Sequence, residues 1–318
     1  MDKLRVGVIG AGFWGRNHVR VLHELQNVEL KAVCDINRSR VEEMTKKYSI
    51  DGYTDSKDLL KRTDIDAVSI CTWSTELAKE MIRALESGKH VFVEKPMAIN
   101  PREAEEAIKL SENNDLYLMV GFIERFNPGV ETVKKILDEG GVGDVVSTLS
   151  RRVSRWPERI GDVGVVKDMA IHELDLLCYL LSETPKTVYA KTGSLRHRLF
   201  EDHAQILLSF ECGATAFIEV NWLTPYKIRE LIITGSESML SLDYITQKVI
   251  LEKSSERKCL PNKWREPLLL ELEHFISSIL NKGALRTTGL DGLRALKIAD
   301  AVLESSRKNE VIKIEWPY

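Results

Sequence analysis

The 318-residue chain has little cysteine: Cys34, Cys71, Cys178, Cys212 and Cys259 lie far apart and form no CxxC pair. That spacing excludes a zinc knuckle and a thioredoxin-like motif, and it suits reduced thiols that pack mostly as small apolar groups. Long hydrophobic runs are missing too. The longest, around Leu174–Leu181, contains Asp175 and falls short of the roughly 20 residues a membrane-spanning helix needs. The opening MDKLRVGVIGAG has no apolar signal-peptide core, so a cytoplasmic location with no membrane partner is expected. Nor is there an excess of one charge: 45 Lys and Arg against 48 Asp and Glu give a net −3. That balance speaks against nucleic acid, which needs a strongly basic face, but leaves room for a small local anion site. Nine prolines and 19 glycines exclude a collagenous or low-complexity chain.

What is present is alternation. The length suits two domains at about 100–200 residues each. Short β-branched runs at Leu4–Ile9, Val28–Cys34, Ala67–Cys71, His90–Val93 and Tyr117–Val120 alternate with amphipathic stretches of helix length. This reads as βαβ units feeding a parallel sheet. Asn100-Pro101 before a Glu-rich run predicts an N-cap followed by proline in the first turn. After Gly121 the texture changes to a strand at Val145–Arg152, one long helix at Val166–Leu181, a series of strands from Thr187 to Leu251, and two closing helices. The fold class is α/β, with an antiparallel-rich sheet in the second half and a domain boundary near Gly121–Phe122.

Three motifs carry chemistry. Gly10-Ala11-Gly12-Phe13-Trp14-Gly15 follows an apolar strand and opens a helix, and Asp35 ends the next strand about 20 residues on, which is the dinucleotide fingerprint. Gly10 permits the tight turn, Gly12 lets the backbone approach a pyrophosphate, and Gly15 allows close helix–strand packing. Asp35 would accept bonds from the adenine ribose and repel a 2′-phosphate, favouring NAD over NADP; Arg38 is placed to stack on adenine or soften that preference. Glu94-Lys95-Pro96 follows a strand of the same sheet, where ligands sit, although the tripeptide also suits a solvated loop. Asp168, His172 and Asp175 fall at i, i+4 and i+7 of a largely apolar helix and so on one face, where ionisable groups are costly unless paired or used. The alternative is a core histidine satisfied by a carboxylate. A metal site lacks a second histidine or cysteine to complete it.

In this order the motifs resemble the glucose–fructose oxidoreductase/inositol dehydrogenase (Gfo/Idh/MocA) family over essentially the whole chain. The resemblance implies a Rossmann domain at 1–121. At 122–318 it implies an α/β domain whose large open sheet serves homodimer or homotetramer contacts. It implies NAD(P)-dependent oxidation of a sugar secondary alcohol, with Lys95 and His172 as acid/base groups and Asp168 binding or orienting. Its cofactor residues would be Gly10, Gly12, Phe13, Trp14, Gly15, Asp35, Arg38, Thr72, Trp73, Glu94 and Lys95. Thr72-Trp73 stands where Thr-Pro is common, Leu77 where a histidine is often found, and Ala170 where glycine is usual.

Local signatures at Gly121–Pro128, Gly161–Val166 and Asn221–Arg229 resemble the UDP-N-acetylglucosamine 3-dehydrogenases, which implies the 3-OH of UDP-N-acetylglucosamine or its uronate as the target. Four arginines between Arg151 and Arg159 suit a diphosphate, and Trp156 a uracil; a solvated basic strand edge is the alternative. The substrate residues are then Arg125, Asn127, Arg152, Arg155, Asp168, His172, Lys227 and Arg229. A dehydrogenase of a free polyol or monosaccharide, or a non-catalytic NAD-binding sensor, remains an alternative.

Overall fold

The computed structural model describes residues 3–157 and 161–316 and divides into two compact units. The first holds Met1–Ile123 and Leu268–Leu293; the second holds Glu124–Pro267 and Arg294–Tyr318.

The first unit alternates as the sequence pattern predicts: β1 (Leu4–Ile9), α1 (Phe13–Glu24), β2 (Val28–Cys34), α2 (Arg38–Tyr48), β3 (Asp51–Tyr53), α3 (Ser56–Leu60), β4 (Ala67–Ile70), α4 (Ser74–Glu86), β5 (His90–Glu94), α5 (Pro101–Asn113) and β6 (Leu118–Gly121). The six strands are parallel in the order β3-β2-β1-β4-β5-β6. They read as continuous apolar runs because helices cover both faces; all four residues of β4 are buried. The order reverses between β1 and β4, so the crevice beyond the carboxyl ends of those strands is the place for a ligand. Local capping sets the helix starts. Asn100 caps α5 in a full capping box with Glu103, with Pro101 in the first turn. Asn37 caps α2.

In the second unit the turn Ile123–Phe126 leads into α6 (Pro128–Asp138), β7 (Val145–Val153), a π-helical turn at Val166–Ala170, and α7 (Ile171–Leu181). Then come β8 (Pro185–Gly193), β9 (His203–Phe210), β10 (Thr215–Asn221), β11 (Ile228–Gly235), β12 (Met239–Asp243), β13 (Lys248–Lys253) and β14 (Glu256–Leu260). Helices α8 (Pro267–Asn281) and α9 (Gly289–Lys308) and the short β15 (Ile312–Lys313) complete the chain. Nine strands form one sheet, β14-β13-β12-β11-β7-β10-β9-β8-β15, antiparallel except for the β7–β10 pair. Alternate residues of the strands, such as Ile206 and Leu208, join Val130, Leu174, Leu177 and Val302 of the helices in one core.

Two expectations change. The helix read as continuous over Val166–Leu181 begins with the π turn. Residues 268–293, which the sequence pattern leaves with the second domain, belong to the first unit. Phe275 packs edge-on to Phe92, 5.7 Å between ring centres, and Gly289 and Gly292 lie where a Cβ would press on Ile108 and on Met97. Among the described residues, no helix is long and apolar enough to cross a membrane.

Candidate functional site

The glycine turn is built by close approach. Gly10 has φ +97°, and a Cβ there would lie 2.5 Å from the Cys71 carbonyl oxygen. A Cβ on Gly15 would lie 1.8 Å from the Gly10 carbonyl oxygen. Gly12 is the N-cap of α1 and no side chain caps that helix, so the N–H groups of its first turn remain for an anion. Phe13 and Trp14 flank the turn, exposed and edge-to-face at 5.9 Å. Asp35 is buried; its Oδ2 accepts the Ala11 N–H at 2.7 Å and its Oδ1 the Asn37 N–H at 2.8 Å. A carboxylate has about four lone-pair sites, so acceptor capacity remains for ribose hydroxyls. Arg38 is exposed and bonds to Glu42 instead; Arg40, which the sequence reading passed over, is the guanidinium beside Asp35, at 3.6 Å. The uncapped helix and the seated carboxylate fit a dinucleotide.

Thr72 and Trp73 follow β4, Trp73 as the N-cap of α4 and partly exposed. Leu77 is buried apolar core. Lys95 leaves the end of β5 half-buried, and its N–H donates to Glu94 Oε2 at 3.3 Å. Glu94 Oε1 meets Nε2 of His18 at 3.1 Å, and His18 Nδ1 lies 2.8 Å from Ser69 Oγ. His18 is fully buried on α1, four residues past the last motif glycine's neighbour Trp14, and carries no motif signal of its own.

In the second unit the residues of the carboxylate–histidine stripe differ in burial. Asp168 sits in the π turn and His172 near the start of α7, both half-buried. Asp175 is buried and takes both prongs of Arg125, at 2.8 and 2.5 Å. A π turn holds more residues than an α turn, so i, i+4 arithmetic does not carry across it. Arg125 is therefore a core ion-pair partner. Asn127 is buried as the N-cap of α6: its Oδ1 accepts the Gly129 N–H and its Nδ2 donates to the Tyr244 carbonyl.

The arginines expected to form one patch disperse because successive strand residues point to opposite faces. Arg151 bonds to Glu219 at 2.9 Å on one face. Arg152 is fully buried on the other, between Glu173 at 2.6 Å and Glu124 at 2.8 Å, and Tyr244 donates its hydroxyl to Glu173. Arg155 is exposed in the following loop, and Glu158 and Arg159 lie outside the described residues. The Trp156 ring packs against Trp222 and His197, with Arg196 over it at 5.8 Å.

A different cationic group stands on β11. Arg229 lies opposite Arg152 in the register and reaches Glu124 at 3.6 Å. Burial and the neighbouring Arg152 draw its pKa down to about 10, against the pull of Glu124, Glu173 and Asp168. The exposed Lys227 is lowered as well, first by Arg229 and then by burial. Burial would raise Glu124, but Arg152 and Arg229 hold it below the usual carboxylate range. Arg229 Nε and Arg152 Nη1 are buried with no hydrogen-bond partner among the described residues.

Residues 4–122 match the oxidoreductase family with an NAD-binding Rossmann fold, and residues 130–241 match the GFO/IDH/MocA C-terminal domain. The chain is 30% identical to the uncharacterized oxidoreductase YrbE of Bacillus subtilis (strain 168), over 97% of this chain and 96% of that protein. It is 27% identical to the myo-inositol 2-dehydrogenase of Thermotoga maritima, over 98% and 99% of the two chains. Among solved structures, the UDP-N-acetylglucosamine 3-dehydrogenase of Acidithiobacillus ferrooxidans is similar with a TM-score of 0.89 and 25% identity, covering 97% of this chain and 99% of that one. Matched in both halves and along nearly its whole length, the chain belongs to the Gfo/Idh/MocA family of NAD-binding oxidoreductases.

Proposed function

We propose that the protein is an NAD-dependent dehydrogenase that oxidises a secondary alcohol of an anionic sugar derivative, a UDP-sugar such as UDP-N-acetylglucosamine at its 3-OH, or the corresponding uronate. The observation that carries the anionic substrate is the group of cations gathered where β11 begins beside β7. Arg152, Arg229 and Lys227 are set against the carboxylates Glu124 and Glu173, and Arg229 is within electrostatic reach of Asp168. Among the described residues Arg229 Nε has no hydrogen-bond partner, and a phosphate or carboxylate is a natural acceptor for this guanidinium. The UDP-N-acetylglucosamine 3-dehydrogenase likeness supports the same choice.

Bound NAD supplies the hydride acceptor. The chain's part is to hold the sugar and move the hydroxyl proton. A group with an accessible neutral form does this best. Lys95 and His172 are the two candidates, one as base and the other polarising the oxygen, and Asp168 in the preceding π turn binds or orients. Glu94 and the Thr72-Trp73 turn are assigned to the nicotinamide end.

A second reading, oxidation of a free polyol, is supported by relatives named inositol dehydrogenases. A panel separates the two: NADH formation from UDP-N-acetylglucosamine, its uronate, myo-inositol and glucose. The expected result is turnover of a UDP-sugar, with KM raised at least about tenfold by Arg229→Ala or Lys227→Ala, as loss of a charge-assisted bond to phosphate requires. Turnover of inositol with none of the UDP-sugars overturns the anionic reading in favour of the second.

A further inference from the structure

We propose that His18 is a positioning residue for the Lys95 turn: its imidazole, held between Ser69 and Glu94, fixes the carboxylate that in turn holds the Lys95 N–H. The proposal rests on the dehydrogenase reading of Lys95. The geometry lies wholly within the first unit. His18 stands on the first helix with no exposed surface, and its two ring nitrogens reach two adjacent strands, Nδ1 to Ser69 of β4 at 2.8 Å and Nε2 to Glu94 of β5 at 3.1 Å. Glu94 has one seat. Its Oε2 accepts the Lys95 N–H at 3.3 Å, and its register partner on β6 is Gly121, where a Cβ would already be 3.3 Å from that same oxygen. The imidazole closes one side of the carboxylate and the bare backbone of β6 the other.

The groups facing the ring are Ser69 of β4 and Cys71 just beyond it, and Phe92 and Glu94 from β5; Phe92 is tilted against it at 5.4 Å. Nε2–H donates to Glu94, and Nδ1 either donates to Ser69 or accepts its hydroxyl; in the doubly protonated ring Ser69 is left to turn to Cys71 Sγ at 3.7 Å. Burial acts to lower the pKa of His18, but Cys71 and Glu94 outweigh it and push it up to about 10. Packing a helix on a sheet does not require such a pair, because well-packed apolar residues serve as well or better. What the pair supplies is a fixed carboxylate and a fixed positive charge two groups from Lys95. That charge makes protonation of a nearby amine less favourable.

Two measurements test this. The first needs no substrate: ¹⁵N spectra of the imidazoles in the unliganded protein. One histidine should keep the signature of the doubly protonated ring from about pH 6 to about pH 8, above the ordinary range, and it should vanish in His18→Gln. A neutral His18 ring at neutral pH overturns the proposal whatever the substrate. The second is the pH profile of alcohol oxidation. His18→Gln should lower kcat about tenfold or more and move the acidic limb to higher pH, with NADH affinity held within about threefold. A merely structural role lowers kcat at every pH and leaves the limb in place, which also overturns the proposal. Should His18→Gln not fold, Glu94→Gln removes the carboxylate that holds Nε2 and is read by the spectra alone, with the ring expected to lose its proton at lower pH than in wild type; an unchanged ring titration overturns the proposal. If the wild type turns over no sugar or polyol, the dehydrogenase reading has failed, and the imidazole spectra alone decide the His18–Glu94 pair.

Discussion

Arg151 and Arg152 are neighbours in sequence but meet different surroundings. Arg151 lies in a cross-strand surface pair with Glu219, while Arg152 is sealed between Glu124 and Glu173. Arg152→Ala would strand two buried carboxylates and should cost roughly 3–5 kcal/mol in chemical denaturation, whereas Arg155→Ala, at an exposed position, should stay within about 0.5 kcal/mol. Asp202 makes a pH prediction. Burial alone would raise its pKa, but the N–H groups of Leu195, Arg196 and His197, together with His203, hold it at about 2. A carboxylate depressed in the folded state stabilises above its unfolded pKa and loses that stabilisation as pH falls through the folded value. Acid titration of stability should therefore be flatter in Asp202→Asn, between the ordinary 3.8 and about 2, than in wild type. At this scale the sequence was only partly readable. Residue types at Arg125, Asn127 and Arg152 suggested a ligand, but neighbours in sequence become partners only when the strand alternation and the far-off Asp175, Tyr244 and Glu173 are known.

At the scale of elements, local signals carried further. Period-2 and helical apolar patterns, the Asn100 cap and the glycine turn all lie within a few residues of what they specify, and each appears where the pattern places it. Gly15 gives the sharpest test. A methyl there would overlap the Gly10 carbonyl, so Gly15→Ala should weaken NADH binding and destabilise the protein by about 1–3 kcal/mol, as read by fluorescence titration and thermal melting. The π turn at Val166–Ala170 was not legible, since nothing in VKDMA distinguishes a π from an α turn. The same holds for residues 268–293, whose partners Phe92, Met97 and Ile108 lie more than a hundred positions away in the chain.

At the scale of the whole molecule, the nine-stranded sheet leaves apolar side chains on its uncovered face. Leu149 of β7, Phe217 of β10 and Leu207 of β9 are in direct register, each close to 40% exposed. Such a row suits a second copy of the chain. The wild type is expected to sediment as a dimer or larger, and Leu149→Lys with Phe217→Lys to shift it to monomer in analytical ultracentrifugation; a monomeric wild type or an unchanged profile in the variant contradicts this. The net charge of −3 is likewise a sum that hides its parts, because it contains the local grouping of cations at Arg152, Lys227 and Arg229. The most direct test of the dehydrogenase assignment is NADH formation by Lys95→Met and by His172→Ala on the substrate the panel identifies, with NADH binding measured in parallel. The expected result is a loss of roughly 10²–10⁴-fold in turnover for each with binding retained; near-wild-type turnover in both contradicts it.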